Sequence, residues 1–306
     1  MHVVETVRLG DITVRRLGLG TMELTGHGTW GEPRDPAGAR ALLRRARELG
    51  VDFFDTADSY GPEVSERLIA DALHPYGEVV VATKGGMTRQ GPSLWSRDCR
   101  PEHLRSACEG SLRRLRVDCI DLYQLHVVDP DVPIEESLGM LAELRAQGKI
   151  RHIGVCNVSR SELERAVAAT PVVSVQNRYN AADRRSESVL ELCETLGLAF
   201  IPWAPVGGGG LSDARGAVVR TARRLGATAP QVALAWLLHR SPLTVPIPGT
   251  RSLAHLEENV RASSLVLEPG DLAALASPVK VGFGAKRIAR QMRRRARRLS
   301  RWVRRA

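Results

Sequence analysis

Eight times along this 306-residue chain a short apolar, β-prone run is followed by an amphipathic run of helical length. That alternation is the strongest constraint on its fold, because a strand that feeds a helix and then another strand makes parallel pairing with helical crossovers. The strand candidates are residues 17–20, 52–55, 79–84, 120–126, 152–156, 172–176, 199–203 and 244–246. Helical stretches are expected at 37–49, 64–73, 101–115, 133–147, 160–169, 185–196, 213–225 and 252–262, with an extra helix over 231–240 before the last strand. Glycines at 50, 148, 197 and 226 stand where left-handed helix caps are expected. Eight units without a composition break favour an α/β fold of the closed (β/α)8 TIM-barrel type over an open sheet. The segment Gly18-Leu19-Gly20-Thr21-Met22-Glu23 is no dinucleotide fingerprint, since it lacks the third glycine and its helix begins some fifteen residues later.

Composition and charge add four bounds. The 43% hydrophobic content is enough for a full-sized core. The five cysteines are odd in number and scattered, which is expected of reduced thiols in a cytoplasmic protein rather than a disulfide or metal framework. The opening MHVVETVRLG carries no long apolar run, so neither secretion nor membrane crossing is expected. The net charge of +10 is unevenly placed: from Lys280 onward there are two Lys and ten Arg with no acid, which leaves the rest of the chain at −2. The expected organisation is thus a barrel over residues 1–279 and a basic tail over 280–306. From Ala285 to Ala306, Ile288, Met292, Leu299, Trp302 and Val303 fall within about a 100° arc of a helix. Such a segment suits an anionic membrane surface as docking partner; nucleic acid is the weaker candidate, having no use for the apolar stripe, and a solvated appendage stays open beside both.

In a barrel, reactive side chains gather at the carboxyl ends of the strands. Asp55 ends the second strand, Tyr60 follows in its loop, Lys84 ends the third and His126 the fourth. Taken singly, Asp55 and Lys84 read first as a structural ion pair, Tyr60 as a loop tyrosine and His126 as a core histidine. Their arrival at three successive strand ends, about 4.8 Å apart, points instead to one site. The chemistry is proton donation to a carbonyl oxygen gaining negative charge. Lys84 is expected to lower the pKa of Tyr60, Asp55 to hold Lys84 protonated, and His126 to place the substrate oxygen.

The stretches FFDTADSYGPEVSERLIADAL, VVVATKGG, IDLYQLH, GKIRHIGVCN, VVSVQNRYN, FIPWAPVGGG and IPGTRSLAHLEEN resemble, in order, those of the aldo-keto reductases. The resemblance implies an oxidoreductase that reduces an aldehyde or ketone with NADPH, through a tetrad of Asp55, Tyr60, Lys84 and His126. It implies cofactor contacts from Thr21, Met22 and Asp55, carboxamide contacts from Asn157 and Gln176, and a ring stacked on the nicotinamide at Trp203. The glycine run with Gly207, Gly208 and Leu211 would wrap the pyrophosphate. Gly249, Thr250 and Arg251 would face the adenosine phosphate, with Glu258 and Asn259 near the adenine. Many relatives have Lys where Gly249 stands and Arg where His255 stands, so Arg251 is the cation expected to favour NADPH over NADH. Leu19 to Asp35 is similar to the pyridoxal reductase branch, which makes pyridoxal or another aromatic aldehyde the first expected substrate. A nucleotide-sensing or scaffold protein docking through the tail is the alternative; a tetrad with Tyr60 argues for the enzyme. No metal is expected.

Overall fold

The computed structural model describes residues 5–207 and 216–276. The basic tail and the loop positions Gly208 and Leu211 lie outside the described residues. Among the described residues no helix is long and apolar enough to cross a membrane.

An antiparallel hairpin, β1 (Thr6–Leu9) and β2 (Ile12–Arg15), comes first. The alternating units then run β3 (Leu19–Gly20), α1 (Pro36–Glu48), β4 (Phe53–Asp55), α2 (Val64–Leu73) and β5 (Val80–Gly85). A second hairpin, β6 (Met87–Gly91) and β7 (Leu94–Arg97), leads into α3 (Pro101–Leu115). There follow β8 (Ile120–Leu125), α4 (Ile134–Ala146), β9 (Ile150–Cys156), α5 (Arg160–Ala169), β10 (Val172–Gln176), α6 (Glu187–Leu196) and β11 (Ala199–Phe200). The chain ends its described part with α7 (Ala217–Leu225), α8 (Ala229–Arg240), α9 (Leu253–Arg261) and α10 (Pro269–Ala276). Neither hairpin nor α10 is among the sequence expectations: β1–β2 precedes the strand–helix alternation on which that reading rests, β6–β7 interrupts it and α10 follows it.

Helix starts follow local chemistry. Asp35 accepts from the Gly38 amide at the head of α1, and Ser159 with Glu162, and Thr228 with Gln231, form reciprocal capping boxes at α5 and α8. Each such cap contributes about 1 kcal/mol. The four glycines at the helix ends all take positive φ.

Seven strands form one parallel sheet in the order β3-β4-β5-β8-β9-β10-β11. Two parallel bridges close it: Phe200 pairs with Thr244, and Gly20 with Gly249. The eighth position is therefore filled by the segment from 243 to 249, not by a regular strand over 244–246. The sequence Val245-Pro246-Ile247-Pro248 explains the irregularity. Val245 donates to Phe200 on the β11 side at 2.8 Å, but on the β3 side Pro246 and Pro248 have no N–H. That seam runs one way only, Gly18 and Gly20 donating to the Pro246 and Pro248 carbonyls at 3.0 and 3.4 Å.

Among the described residues two large apolar regions hold the fold, beside a small cluster of Leu17, Leu234 and Ala262. The larger lies between strands and helices. The smaller fills the barrel: Phe53, Val80, Ala82, Leu122, Ala199, Ile201, Val245 and Ile247 pack with Val7, Leu9, Ile12 and Val14 of the first hairpin. Those strand residues include the first inward side chain of several strands, so the hairpin plugs the amino end. The opposite end is left for polar groups.

Candidate active site

Side chains alternate across a strand with period two, so whatever follows an inward apolar residue by two points the same way. Asp55 follows Phe53, Lys84 follows Ala82, Trp203 follows Ile201 and Gly249 follows Ile247. On these four segments an apolar residue faces the plugged end, and on β4 and β5 the charged Asp55 and Lys84 follow it towards the mouth.

There Lys84 is fully buried and its ammonium has three partners: Asp55 Oδ1 at 2.7 Å, the Thr56 carbonyl at 2.6 Å and Tyr60 Oη at 3.4 Å. Asp55 accepts on its other oxygen from Gln176 Nε2 at 2.7 Å and Gln124 Nε2 at 3.2 Å. Both carboxylate oxygens are therefore satisfied by donors, as a buried charge requires. His126 lies edge-on to Tyr60, ring centroids 5.8 Å apart, and its Nδ1 stands 3.4 Å from Ser59 Oγ. Three of the four tetrad residues are hydrogen-bonded in sequence, and the fourth packs on the phenol.

The electrostatics correct one expectation. Burial raises the Tyr60 phenol to about 12, against the lowering effect of Lys84. Lys84 limits the rise without reversing it, because a phenolate taken out of water loses more solvation than one ammonium at 3.4 Å returns. For Lys84 burial alone would act downward, but Asp55, with smaller contributions from Tyr60 and Cys156, holds it above the ordinary lysine value. His126 is held well below the usual histidine value by burial and by the Lys84 charge, so its imidazole is neutral, with one donor and one acceptor nitrogen.

The remaining expected contacts are scattered around the rim. Trp203 is partly exposed, its Nε1 donating to Asn157 Oδ1 at 2.9 Å, while Asn157 Nδ2 donates to the His126 carbonyl at 3.0 Å. Met22 is 43% exposed, beside the mouth. Thr21 is fully buried and turned towards α2, its hydroxyl donating to the Asp55 carbonyl at 2.9 Å and meeting Ser65 Oγ at 2.7 Å. Gly249 sits on the closing seam, Thr250 is buried just after it, and Arg251 folds back to donate to the Glu23 and Thr25 carbonyls. Gly207 is described and donates to the Ala204 carbonyl at 2.9 Å. Glu258 and Asn259 are on α9, where the Glu258 carbonyl accepts from Gln231 at 3.0 Å. Among the described residues no cluster of three or more His, Cys, Asp or Glu could hold a metal ion.

Sequence reasoning passed over Gln124, Ser59, Cys156 and Arg89. The first was within reach, since Gln124 is two residues before His126 and so on the same face. Cys156 ends the strand expected at 152–156 and was within reach too, whereas Ser59 and Arg89 owe their places to a loop and to partners distant in sequence.

Comparison with known proteins agrees with this geometry. The aldo/keto reductase family profile matches residues 16–278. An uncharacterised oxidoreductase of Schizosaccharomyces pombe is 45% identical over 270 residues, covering 88% of each chain. Pyridoxine 4-dehydrogenase of Escherichia coli is 40% identical over 283 residues, covering 88% of this chain and 96% of its own. Among solved structures, an aldo/keto reductase of Klebsiella pneumoniae in complex with NADP and acetate superposes with a TM-score of 0.76 at 28% identity, over 89% of this chain and 94% of its own. A glycerol dehydrogenase of Gluconobacter oxydans superposes at 0.81 and 26% identity, over 92% and 99%. A barrel with this polar mouth, matched over most of its length, makes the chain a member of the aldo/keto reductase family.

Proposed function

We propose that the chain reduces aldehydes or ketones to alcohols with NADPH, Tyr60 delivering the proton to the carbonyl oxygen. The observation that carries this reading is the buried line Asp55–Lys84–Tyr60, with links of 2.7 and 3.4 Å. Because Lys84 donates to the phenol oxygen, the phenol's own hydrogen is directed elsewhere, and the mouth is where an acceptor can meet it. A phenol at about 12 is fully protonated at neutral pH. It is still a far stronger acid than an alcohol, whose value is near that of water at roughly 16, so transfer to a nascent alkoxide runs downhill. In this reading the neutral His126 carries its ring proton on Nε2 and donates it to the same oxygen, which leaves Nδ1 as the acceptor facing the Ser59 hydroxyl at 3.4 Å.

The residues at the mouth fit a nicotinamide nucleotide. The partly exposed Trp203 ring, pinned at its edge by Asn157, offers a flat face for stacking. Gln176 has its amide nitrogen committed to Asp55, which leaves its carbonyl oxygen to accept from a carboxamide. Asn157 would complete that grip, Gly207 with Gly208 and Leu211 would wrap the pyrophosphate, and Gly249, Thr250 and Arg251, with Glu258 and Asn259 on α9, would take the adenosine end. When bound, the cofactor supplies the hydride that adds to the carbonyl carbon.

Pyridoxal is the first substrate to try, because a relative at 40% identity is a pyridoxine 4-dehydrogenase and reduction of the aldehyde is the reverse of that reaction. Loss of NADPH absorbance is to be followed with pyridoxal and with simple aldehydes and ketones. Tyr60→Phe is expected to lose about 10²- to 10⁴-fold in kcat while still binding NADPH. Undiminished turnover in that variant would end the reading; pyridoxal turned over no better than the simple carbonyls would end its substrate part.

A further inference from the structure

Arg89 lies on β6 directly across from Trp95 on β7. Its guanidinium carbon is 3.7 Å from the Trp95 ring centroid and 5.8 Å from that of Trp30. The whole planar fork is taken up by main-chain carbonyls. Nε donates to Leu94 at 3.2 Å, one terminal nitrogen to Thr29 at 2.7 Å and Ser59 at 3.2 Å, and the other to Gly28 at 2.7 Å and Gly91 at 3.2 Å. These five acceptors come from three loops: the one after β3, the one after β4 immediately before Tyr60, and the hairpin itself. Among the described ion pairs none involves Arg89, so this cation serves the backbone and not a carboxylate.

The contact is reinforced where the hairpin tip meets the first loop. The Ser93 amide donates to the Gly28 carbonyl at 2.9 Å, and Gly31 donates to the Gly61 carbonyl at 2.8 Å. Thus the loop holding Trp30, the loop holding Tyr60 and the hairpin holding Trp95 are tied at one point. Trp95 stands edge-on to Tyr60 with centroids 6.5 Å apart. Trp30 and Trp95 are each 37% exposed and Leu94 is 58% exposed, an apolar rim open to solvent beside the proton donor.

We infer that Arg89 is a positioning residue: it locks Trp95 and Trp30 into a fixed aromatic wall beside Tyr60, and that wall selects carbonyl substrates carrying an aromatic ring over short aliphatic ones. Fixed indole faces stack on a flat ring with little ordering cost, whereas a short alkyl chain gains almost nothing from them. Lysine cannot replace the clamp, since a single ammonium has three donors and no planar fork to reach carbonyls on three loops. This inference rests on the carbonyl-reductase reading; turnover by the wild type reports on that reading, and the variants report on this one.

The test compares wild type, Arg89→Lys, Trp95→Leu and Trp95→Phe with benzaldehyde and with propanal at saturating NADPH. Arg89→Lys and Trp95→Leu are expected to raise KM for benzaldehyde about tenfold, with kcat within about twofold and kcat/KM for propanal within about twofold, and Trp95→Phe to restore most of the loss. Equal losses on both aldehydes, or none on either, would overturn the selection. Hydrogen exchange of the unliganded proteins decides the clamp without any substrate: amides of residues 26–31 and 87–97 are expected to exchange faster in Arg89→Lys while those of β8 and β9 do not change. Identical exchange in the two proteins would overturn it.

Discussion

Replacing Asp55 by asparagine keeps the side-chain volume and removes one charge, and the geometry says why the protein cannot absorb it. The carboxylate accepts at both oxygens, from Lys84 on one and from Gln176 and Gln124 on the other. An amide accepts at one only. In either orientation its NH2 group meets a donor, the Lys84 ammonium or the two glutamine amides. Removing one partner of a buried ion pair costs about 3–5 kcal/mol, and an unmatched buried donor about 1–3 kcal/mol. Because the two losses share the same atoms, a total of about 4 kcal/mol is expected for Asp55→Asn.

The sign of the pH dependence makes the argument specific. In the wild type Lys84 is raised above its unfolded value, so its contribution is fully present below about pH 10 and is lost only as pH rises beyond it. In Asp55→Asn the carboxylate no longer opposes burial, and the ammonium falls below its unfolded value. Stability of the variant must then rise with pH between the two values, by up to about 1.4 kcal/mol per pH unit. Urea unfolding at pH 7, 8, 9 and 10, followed by tryptophan fluorescence, reads the difference between the two curves, in which unrelated groups cancel. Turnover should fall about 10²- to 10⁴-fold, since the phenol loses its charged partner as the lysine neutralises. A variant within about 1 kcal/mol of wild type, and parallel to it from pH 7 to 10, would refute the reasoning.

Two further perturbations probe residues outside the tetrad, one beside it and one on the closing seam. Burial, with Glu66 adding to it against Arg114 and Lys84, raises Asp58 to about 8, and its Oδ1 has no hydrogen-bond partner. The folded protein therefore holds a proton there that the unfolded chain has released, and stability falls as pH rises from about 4 to 8, by at most about 1.4 kcal/mol per unit; Asp58→Asn should flatten that slope in pH-dependent urea melts, and an unchanged slope would mean that Asp58 is ionised in the fold. Gly20 lies on the closing seam, where an added Cβ would stand 2.9 Å from the Ile247 carbonyl oxygen, which belongs to backbone and cannot turn aside. Gly20→Ala is expected to cost about 1–3 kcal/mol, seen as a lower Tm; a Tm equal to wild type would mean that the seam is not packed as described.

Most of the barrel was legible because its signals are local. The helices at 64–73, 101–115 and 160–169 fall where their periodicity puts them, and Asp55, Lys84 and His126 reach one mouth because strand alternation and strand order together leave them nowhere else. Tyr60 was legible by its place in the loop after β4. What failed to show were features whose signal is weak or shared. The hairpin of β6 and β7 has no helix between its strands and so looks like loop in a chain read as strand–helix pairs. The segment from 243 to 249 looks like a strand, yet two prolines deny it half of its ladder on one side.

By itself, then, the order of apolar and amphipathic runs determined a parallel closed sheet with its reactive groups at one end, since both follow from periodicities of two and 3.6 residues. Only the tertiary structure decided which way the Tyr60 acidity moves, because that depends on how much water burial removes compared with what one ammonium restores, and no linear pattern encodes depth. It also decided what Arg89 does: five carbonyls from three loops converge on one guanidinium only after the chain has closed on itself.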